Sequence, residues 1–186
     1  MSRPIYVDLD ATLIDSAVDR YGNVTKIVPR PGGPAFIEKL SRHGDLFLLT
    51  HAMRPHVANA FREIGPSVEL FQGVISREDM ASVIEQVEYL VGNQSLTDEE
   101  RTMLYQEIPP LAPRGFIFDD QPIGSELYLI KSAAVGSRPR DWIQVKPFRR
   151  SNRDKDRELE RAYQEYRRRM TGAHTVMAGR AWRVVG

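Results

Sequence analysis

The stretch IYVDLDAT, residues 5–12, is an apolar run that ends in two aspartates and a threonine. The apolar residues predict a short buried strand, and the polar residues predict that the strand ends at the edge of a sheet. Side chains two positions apart can project to the same side of an extended segment. Asp8 and Asp10 are therefore candidates for chemistry at that edge, although an ordinary solvated turn is the alternative.

Apolar runs later in the chain predict further strands, and segments with helical spacing of apolar residues separate them. The predicted strands cover residues 5–9, 45–50, 68–75, 116–118 and 127–130. Helices are predicted after the proline-rich residues 29–34, over 56–64, twice within 78–106, and over 153–170. This alternation predicts an α/β fold, a Rossmann-like three-layer sandwich with a mainly parallel sheet.

The segment after the first strand predicts a small hairpin flap rather than a large cap domain. Residues 17–18 and 24–28 have strand-like composition, and the turn-forming residues 19–23 separate them. Ligands of parallel sheets bind beyond the carboxyl ends of the strands. We therefore expect Asp8, Thr50 and Asp119, which end three of the strands, to lie at one edge.

Bulk properties limit the class of protein. The chain has 186 residues and no cysteine, which excludes disulfides and thiolate zinc sites. Neither a secretory signal nor a membrane-spanning apolar run is evident, so the sequence predicts a cytoplasmic protein with no membrane partner.

Charge is distributed unevenly along the chain. Residues 1–136 carry a net charge of −7, whereas residues 137–186 carry +8. We predict a phosphatase-like domain over residues 1–147 and a basic helical extension over 148–186. The extension has an apolar stripe, Leu159, Tyr163, Tyr166 and Met170, which predicts docking on this domain or on a second copy. Its arginines at 167–169 are expected to face solvent or a polyanion.

Two acidic pairs are expected at neighbouring strand ends, Asp8 with Asp10 and Asp119 with Asp120. Converging carboxylates repel one another unless a cation lies between them. Oxygen ligands without histidine or cysteine favour Mg²⁺ over zinc. The predicted metal ligands are thus Asp8, Asp10, Asp119 and Asp120, and the predicted cofactor is Mg²⁺.

The order of these motifs, Asp-x-Asp-x-Thr, apolar strand with Thr50, and apolar strand with Asp119-Asp120, resembles the haloacid-dehalogenase-like superfamily. Residues 30–40, 46–52, 75–78 and 116–122 resemble its C-terminal-domain phosphatase, or NLI-interacting-factor-like, branch. The resemblance implies that Asp8 is a nucleophile that forms an aspartyl-phosphate. It also implies that Asp10 is the general acid and base and that its backbone carbonyl, with Asp8 and Asp119, holds Mg²⁺.

One residue of the family pattern is missing. The family uses a lysine to neutralise the phosphoryl group, but residues 51–118 contain none. Arg77, after the third predicted strand, is the first candidate to replace it, and Lys131, after the fifth, is the second. The predicted phosphate-binding residues are Thr50, His51 and Arg77, with capping or surface roles as the alternative for each.

These observations predict a Mg²⁺-dependent phosphomonoesterase with a phosphorylated substrate. That substrate could be a phosphoprotein, a nucleotide or a nucleic-acid end, and the basic extension suits a polyanion. The alternative is a non-catalytic module that uses the same fold to bind an extended peptide. A kinase is disfavoured because the sequence has no Gly-rich loop ending in Gly-Lys-Ser/Thr.

Overall fold

The computed structural model describes residues 3–20 and 24–180. The strands are β1 (Ile5–Val7), β2 (Ile14–Val18), β3 (Val24–Pro29), β4 (Leu46–Leu49), β5 (Phe71–Ile75), β6 (Phe116–Asp119) and β7 (Trp142–Gln144). The helices are α1 (Gly33–Ser41), α2 (Arg54–Ile64), α3 (Ala81–Gly92), α4 (Asp98–Glu107), α5 (Glu126–Ala134) and α6 (Glu158–Arg180). Within the described ranges, no helix combines the length and the apolar character that crossing a membrane requires.

Five strands form one parallel sheet in the order β5-β4-β1-β6-β7. The central strand β1 is in register with both neighbours, since Ile5 lies opposite Leu46 on β4 and opposite Phe116 on β6. The carboxyl ends of these three strands are therefore level with one another. The predicted α/β architecture with a mainly parallel sheet is confirmed.

Helices cover both faces of the sheet, and side chains alternate between them. Ile5 and Val7 pack in a core with α1, α2 and α6, whereas Tyr6 packs in a second core with α3 and α5. On β6, Phe118 lies in the first core and Ile117 in the second. This alternation follows from the period of two in a strand and makes the domain a three-layer sandwich.

The predicted fifth strand is wrong, because residues 127–130 belong to helix α5. Ser125 precedes this helix, and its hydroxyl accepts a hydrogen bond from the backbone N–H of Tyr128. A short apolar run has no period that distinguishes a strand from a buried helix, so the capping residue is the signal that indicates a helix here. The fifth strand of the sheet is β7, and the predicted third strand begins later, at Phe71, after a short 3₁₀ helix.

The predicted hairpin is present as β2 and β3, which pair in antiparallel fashion with Ile14 opposite Pro29. Residues 21–23 of the expected turn lie outside the described residues. The hairpin directly follows the loop after β1, and β3 packs against α2. It therefore stands beside the carboxyl edge of the sheet.

Helix α6 docks on this domain by the predicted apolar stripe. Leu159, Tyr163 and Tyr166 are buried in the same core as β1 and β6, and Met170 packs against that core. The expectation that all three arginines at 167–169 face outward is wrong for Arg169, whose guanidinium donates hydrogen bonds to the carbonyls of Arg140 and Trp142. It satisfies backbone acceptors at the free edge of the sheet. The division of the chain at residues 147 and 148 remains a prediction.

Candidate active site

The loop after β1 has an unusual backbone that contacts from distant residues hold in place. Ala11 adopts a left-handed conformation with φ 59°, which is uncommon outside glycine. Its carbonyl accepts a hydrogen bond from the N–H of Phe148 at 2.6 Å. The buried guanidinium of Arg30 donates to the carbonyl of Thr12 at 3.0 Å and forms an ion pair with Asp156 at 2.8 Å. The segment before α6 therefore braces this loop.

Three carboxylates converge at the carboxyl edge of the sheet. Oxygens of Asp8, Asp119 and Asp120 lie within 4.8 Å of one another. Asp8 follows β1 and Asp119 ends β6, and both residues are buried. The ammonium of Lys131 is buried with them, 2.7 Å from Asp8 Oδ1 and 2.6 Å from Asp119 Oδ2. We call these four residues the acidic cluster.

Burial and mutual repulsion perturb the acidic cluster. Burial raises the pKa of Asp8 well above its ordinary value, and the Asp119 carboxylate adds to the rise while Lys131 opposes it. Burial and Asp119 also raise the pKa of Asp120. Burial alone would lower the pKa of Lys131, but the carboxylates of Asp119 and Asp8 outweigh it and raise the pKa. Burial of the carboxylates, more than their mutual repulsion, is therefore what the ammonium of Lys131 fails to offset at Asp8.

The acidic cluster fits a hard divalent cation. When all three carboxylates are ionised, one ammonium leaves two negative charges uncompensated, which is the charge that Mg²⁺ would balance. The ligand atoms are carboxylate oxygens, which suit Mg²⁺ rather than a soft metal. Asp8, Asp119 and Asp120 are therefore the residues that could hold the ion.

Asp10 lies outside the acidic cluster, and its carboxylate has different partners. Its Oδ1 accepts hydrogen bonds from Ser16 Oγ at 2.8 Å and from His56 Nε2 at 2.9 Å. Burial alone would raise the pKa of Asp10, but the hydrogen bonds from His56 and Ser16 outweigh it and hold the pKa below its ordinary value. The hydrogen bond to Asp10 raises the pKa of His56 in turn. The lowered pKa favours the ionised form of Asp10 in the free protein, which can accept a proton. The contact of Asp10 with a metal through its backbone remains a prediction.

The residues predicted to bind phosphate lie at the ends of β4 and β5. Thr50 follows β4 and is buried, and its hydroxyl accepts a hydrogen bond from the N–H of Ala52 at 3.1 Å. His51 is half-buried, and burial, followed by the charge of Arg77, lowers its pKa. The side chain of Arg77 is exposed, and its backbone N–H donates to the carbonyl of Ala52 at 3.2 Å. Their contact with a phosphoryl group remains a prediction.

Sequence reasoning did not predict the contacts of Lys131 with the acidic cluster or those of Asp10 with His56 and Ser16. It named Lys131 as the second candidate and placed it directly after a predicted strand, whereas Lys131 lies within α5, which brings it into the acidic cluster. The capping signal at Ser125 could have identified that helix. No local signal pairs Asp10 with His56, because 46 residues separate them. Ser16, which bonds the same oxygen, lies on the hairpin and received no role.

Comparison with known proteins gives one family match. Residues 5–103, more than half of the chain, match the family described as NLI interacting factor-like phosphatase. The matched segment includes Asp8, Asp10 and Thr50 and ends before β6. No curated protein matches the chain significantly.

Two solved structures resemble the chain at low identity. One is a variant of the fission yeast RNA polymerase II CTD phosphatase Fcp1 bound to beryllium fluoride, with 17% identity and a TM-score of 0.46 over 92% of this chain and 50% of that one. Another is Fcp1, described as an essential RNA polymerase II CTD phosphatase, with 17% identity and a TM-score of 0.48 over 95% of this chain and 54% of that one. The chain thus spans about half the length of these structures.

Proposed function

Because the chain belongs to the NLI interacting factor-like phosphatase family, we propose that it hydrolyses phosphate monoesters through a covalent intermediate on Asp8. The observation that carries this proposal is the acidic cluster, in which a buried lysine contacts two buried carboxylates at the carboxyl edge of the sheet. Burial of these charged groups carries a large desolvation penalty, and a role in phosphoryl transfer would explain why the fold buries them.

In the proposed reaction an oxygen of Asp8 attacks phosphorus, and the bond from phosphorus to the leaving oxygen breaks. The lowered pKa of Asp10 favours its ionised form in the free protein, so Asp10 takes up a proton from solvent as the substrate binds. It gives this proton to the leaving oxygen, and the product alcohol leaves neutral. Water then attacks the phosphorus of the aspartyl-phosphate while Asp10 takes a proton from the water. The bond from phosphorus to the Asp8 oxygen breaks, which releases inorganic phosphate and regenerates Asp8. The covalent route divides one difficult displacement into two easier ones.

We propose that Asp8, Asp119 and Asp120, with the backbone carbonyl of Asp10, hold Mg²⁺. A bound Mg²⁺ would neutralise charge on the phosphoryl oxygens in the transition state. Lys131, rather than Arg77, would supply the second positive charge, because its ammonium already lies against Asp8. Thr50, His51 and Arg77 are proposed to contact the remaining phosphoryl oxygens.

The proposed substrate is a phosphorylated protein, with a nucleotide or a nucleic-acid end as the further classes to test. The resemblance to the C-terminal-domain phosphatase branch favours the first class. Arg167 and Arg168 are exposed on α6 and could contact a polyanionic part of a substrate. A non-catalytic peptide-binding module remains the competing function, and hydrolysis of an aryl phosphate with Mg²⁺ would separate the two.

The decisive variant is Asp8→Asn, which removes the nucleophile and keeps the side-chain shape. We expect turnover of para-nitrophenyl phosphate to fall by roughly a thousandfold or more, while circular dichroism shows a folded protein. Asp45→Asn is the matched control, because Asp45 is exposed and lies at the opposite edge of the sheet, before β4. Turnover at the parent rate by a folded Asp8→Asn protein would contradict the mechanism.

The metal assignment is tested by Asp119→Ala. We expect a higher Mg²⁺ concentration for half-maximal activity, because one of three carboxylate ligands is lost. An unchanged Mg²⁺ titration would remove Asp119 from the ligand set and leave Asp120 as the ligand after β6.

A further inference from the structure

One oxygen of Asp10 has two hydrogen-bond donors from separate elements. Ser16 on β2 donates at 2.8 Å and His56 in the first turn of α2 lies at 2.9 Å, with 3.4 Å between Ser16 Oγ and His56 Nε2. Both contacts are to Oδ1, and no described residue contributes a hydrogen bond to Oδ2. The carboxylate is therefore fixed by one oxygen and open at the other.

Burial supports the same division of roles. The side chain of His56 is only 14% exposed, whereas that of Asp10 is 43% exposed. His56 thus lies behind Asp10 rather than in the open crevice. The contact of β3 with α2 keeps the hairpin and the helix together, so both donors sit on a common support.

We propose that His56 is a positioning residue that holds Asp10 so that Oδ2 carries the transferable proton. This inference rests on the proposed phosphatase function and goes beyond it, because His56 itself need not touch the substrate. A carboxylate oxygen only accepts hydrogen bonds, so Nε2 of His56 carries a proton whether the ring is neutral or charged. The proposed role therefore does not depend on titration of His56.

The role follows from the two steps of the reaction. In the first, the proton on Oδ2 passes to the leaving oxygen as its bond to phosphorus breaks. In the second, Oδ2 receives a proton from the attacking water. Both transfers require Oδ2 within hydrogen-bond distance of the reacting oxygen. A carboxylate that rotated freely would occupy this orientation only a small fraction of the time, which would slow both transfers.

The test separates general-acid positioning from a structural role by varying the leaving group. The value of kcat/KM reports only the steps up to departure of the leaving alcohol. A good leaving group, as in para-nitrophenyl phosphate, needs little protonation, whereas the alcohol of a phosphoserine peptide needs full protonation. Phenyl phosphate lies between them.

Two substitutions remove the donor at the Nε2 position, and one restores it. His56→Phe keeps the ring volume, and His56→Asn keeps polarity but is too short to reach Asp10. We expect both to lose about tenfold to a hundredfold in kcat/KM on the phosphoserine peptide and less than about threefold on para-nitrophenyl phosphate. In His56→Gln, whose amide nitrogen can occupy the Nε2 position, we expect the parent dependence on leaving group to return.

Other results would overturn the proposal. An equal loss of kcat/KM for every leaving group would mean that His56 has only a structural role. The same would follow if His56→Gln did not restore the parent dependence on leaving group. No loss in His56→Asn would mean that Ser16 alone positions Asp10. Failure of the proposed function would look different, because the parent protein would then be inactive on all three substrates or Asp8→Asn would remain active.

Discussion

Lys131 controls the electrostatics of the acidic cluster at the scale of single residues. Its side chain is 3% exposed, and those of its partners Asp8 and Asp119 are 5% and 0% exposed. Removing three charged groups from water is unfavourable, and their mutual contacts offset much of that penalty. The lysine therefore supplies a counter-charge that favours burial of the carboxylates.

The first prediction concerns Lys131→Met, which keeps the length of the side chain and removes its charge. We expect the free energy of unfolding to fall by about 3–5 kcal/mol without metal, because two buried carboxylates lose their counter-charge. We also expect Mg²⁺ to raise the unfolding midpoint more in the variant than in the parent, since the ion would supply the missing charge. Urea titrations with Mg²⁺ and with a chelator measure both effects.

Arg77→Met is the control, because Arg77 is exposed and is the other candidate for the family lysine. We expect its free energy of unfolding to lie within about 0.5 kcal/mol of the parent. Equal stability of Lys131→Met and the parent in the chelator would show that the acidic cluster does not depend on Lys131.

At the scale of elements, α6 contributes side chains to the core and also hydrogen-bonds the edge strand of the sheet. Strand β7 lies at the edge, where its outward carbonyls have no neighbouring strand. Arg169 donates to the carbonyl of Trp142, and Arg161 donates to that of Gln144. These guanidinium groups satisfy the edge acceptors and block pairing with another chain. The helix is therefore an integral part of the fold.

The second prediction tests this docking with Tyr166→Ala. Tyr166 is 1% exposed and packs edge-on against Phe116, with ring centroids 5.2 Å apart. We expect the free energy of unfolding to fall by about 3 kcal/mol or more, through lost burial and the remaining cavity. Chemical denaturation measures the change. The control Gln164→Ala lies on the exposed face of α6 and should change stability little, so equal losses in both variants would contradict docking by the stripe.

At the scale of the whole molecule, ion pairs connect the net-acidic part of the chain, residues 1–136, with the net-basic part, residues 137–186. Arg30 pairs with Asp156, Lys39 pairs with Glu160, and the arginines at 149 and 150 lie near Asp15. Of these contacts, those of the two arginines with Asp15 join a cation of the basic part to an anion of the acidic part, whereas the other two pairs run the opposite way, so the charge asymmetry is largely not offset by them. Arg167 and Arg168 are exposed on α6, which makes them candidates for contact with a polyanion.

The third prediction concerns a double variant, Arg167→Gln with Arg168→Gln. If both arginines contact the phosphates of a single strand, the slope of log affinity against log salt should become shallower by about 1.4. Stability should be unchanged, because Arg169, which bonds the edge of the sheet, is retained. Binding of a labelled single-stranded oligonucleotide at several salt concentrations measures the slope, with Arg62→Gln on α2 as the control. The parent slope in the double variant would mean that these arginines only solvate the surface.

The sequence by itself determined the features that local pattern controls. Short apolar runs predicted β1, β4 and β6, and turn chemistry predicted the hairpin. Helical spacing predicted α1, α2 and the docked stripe of α6. Because parallel strands end at one edge, the order of the motifs also predicted that Asp8 and Asp119 would meet, as they do in the structure.

Only the tertiary structure decided which side chains surround those aspartates. The run at 127–130 is too short for its period to separate helix from strand. The cap at Ser125 could have indicated the helix, but only the packing of α5 against the sheet brings Lys131 to Asp8. The contact of Asp10 with His56 depends on how α2 packs beside the hairpin. The two residues are 46 positions apart, and no local sequence pattern predicts that packing. Arg169 turned inward because the edge of β7 offered unpaired carbonyls, which exist only once the sheet has formed.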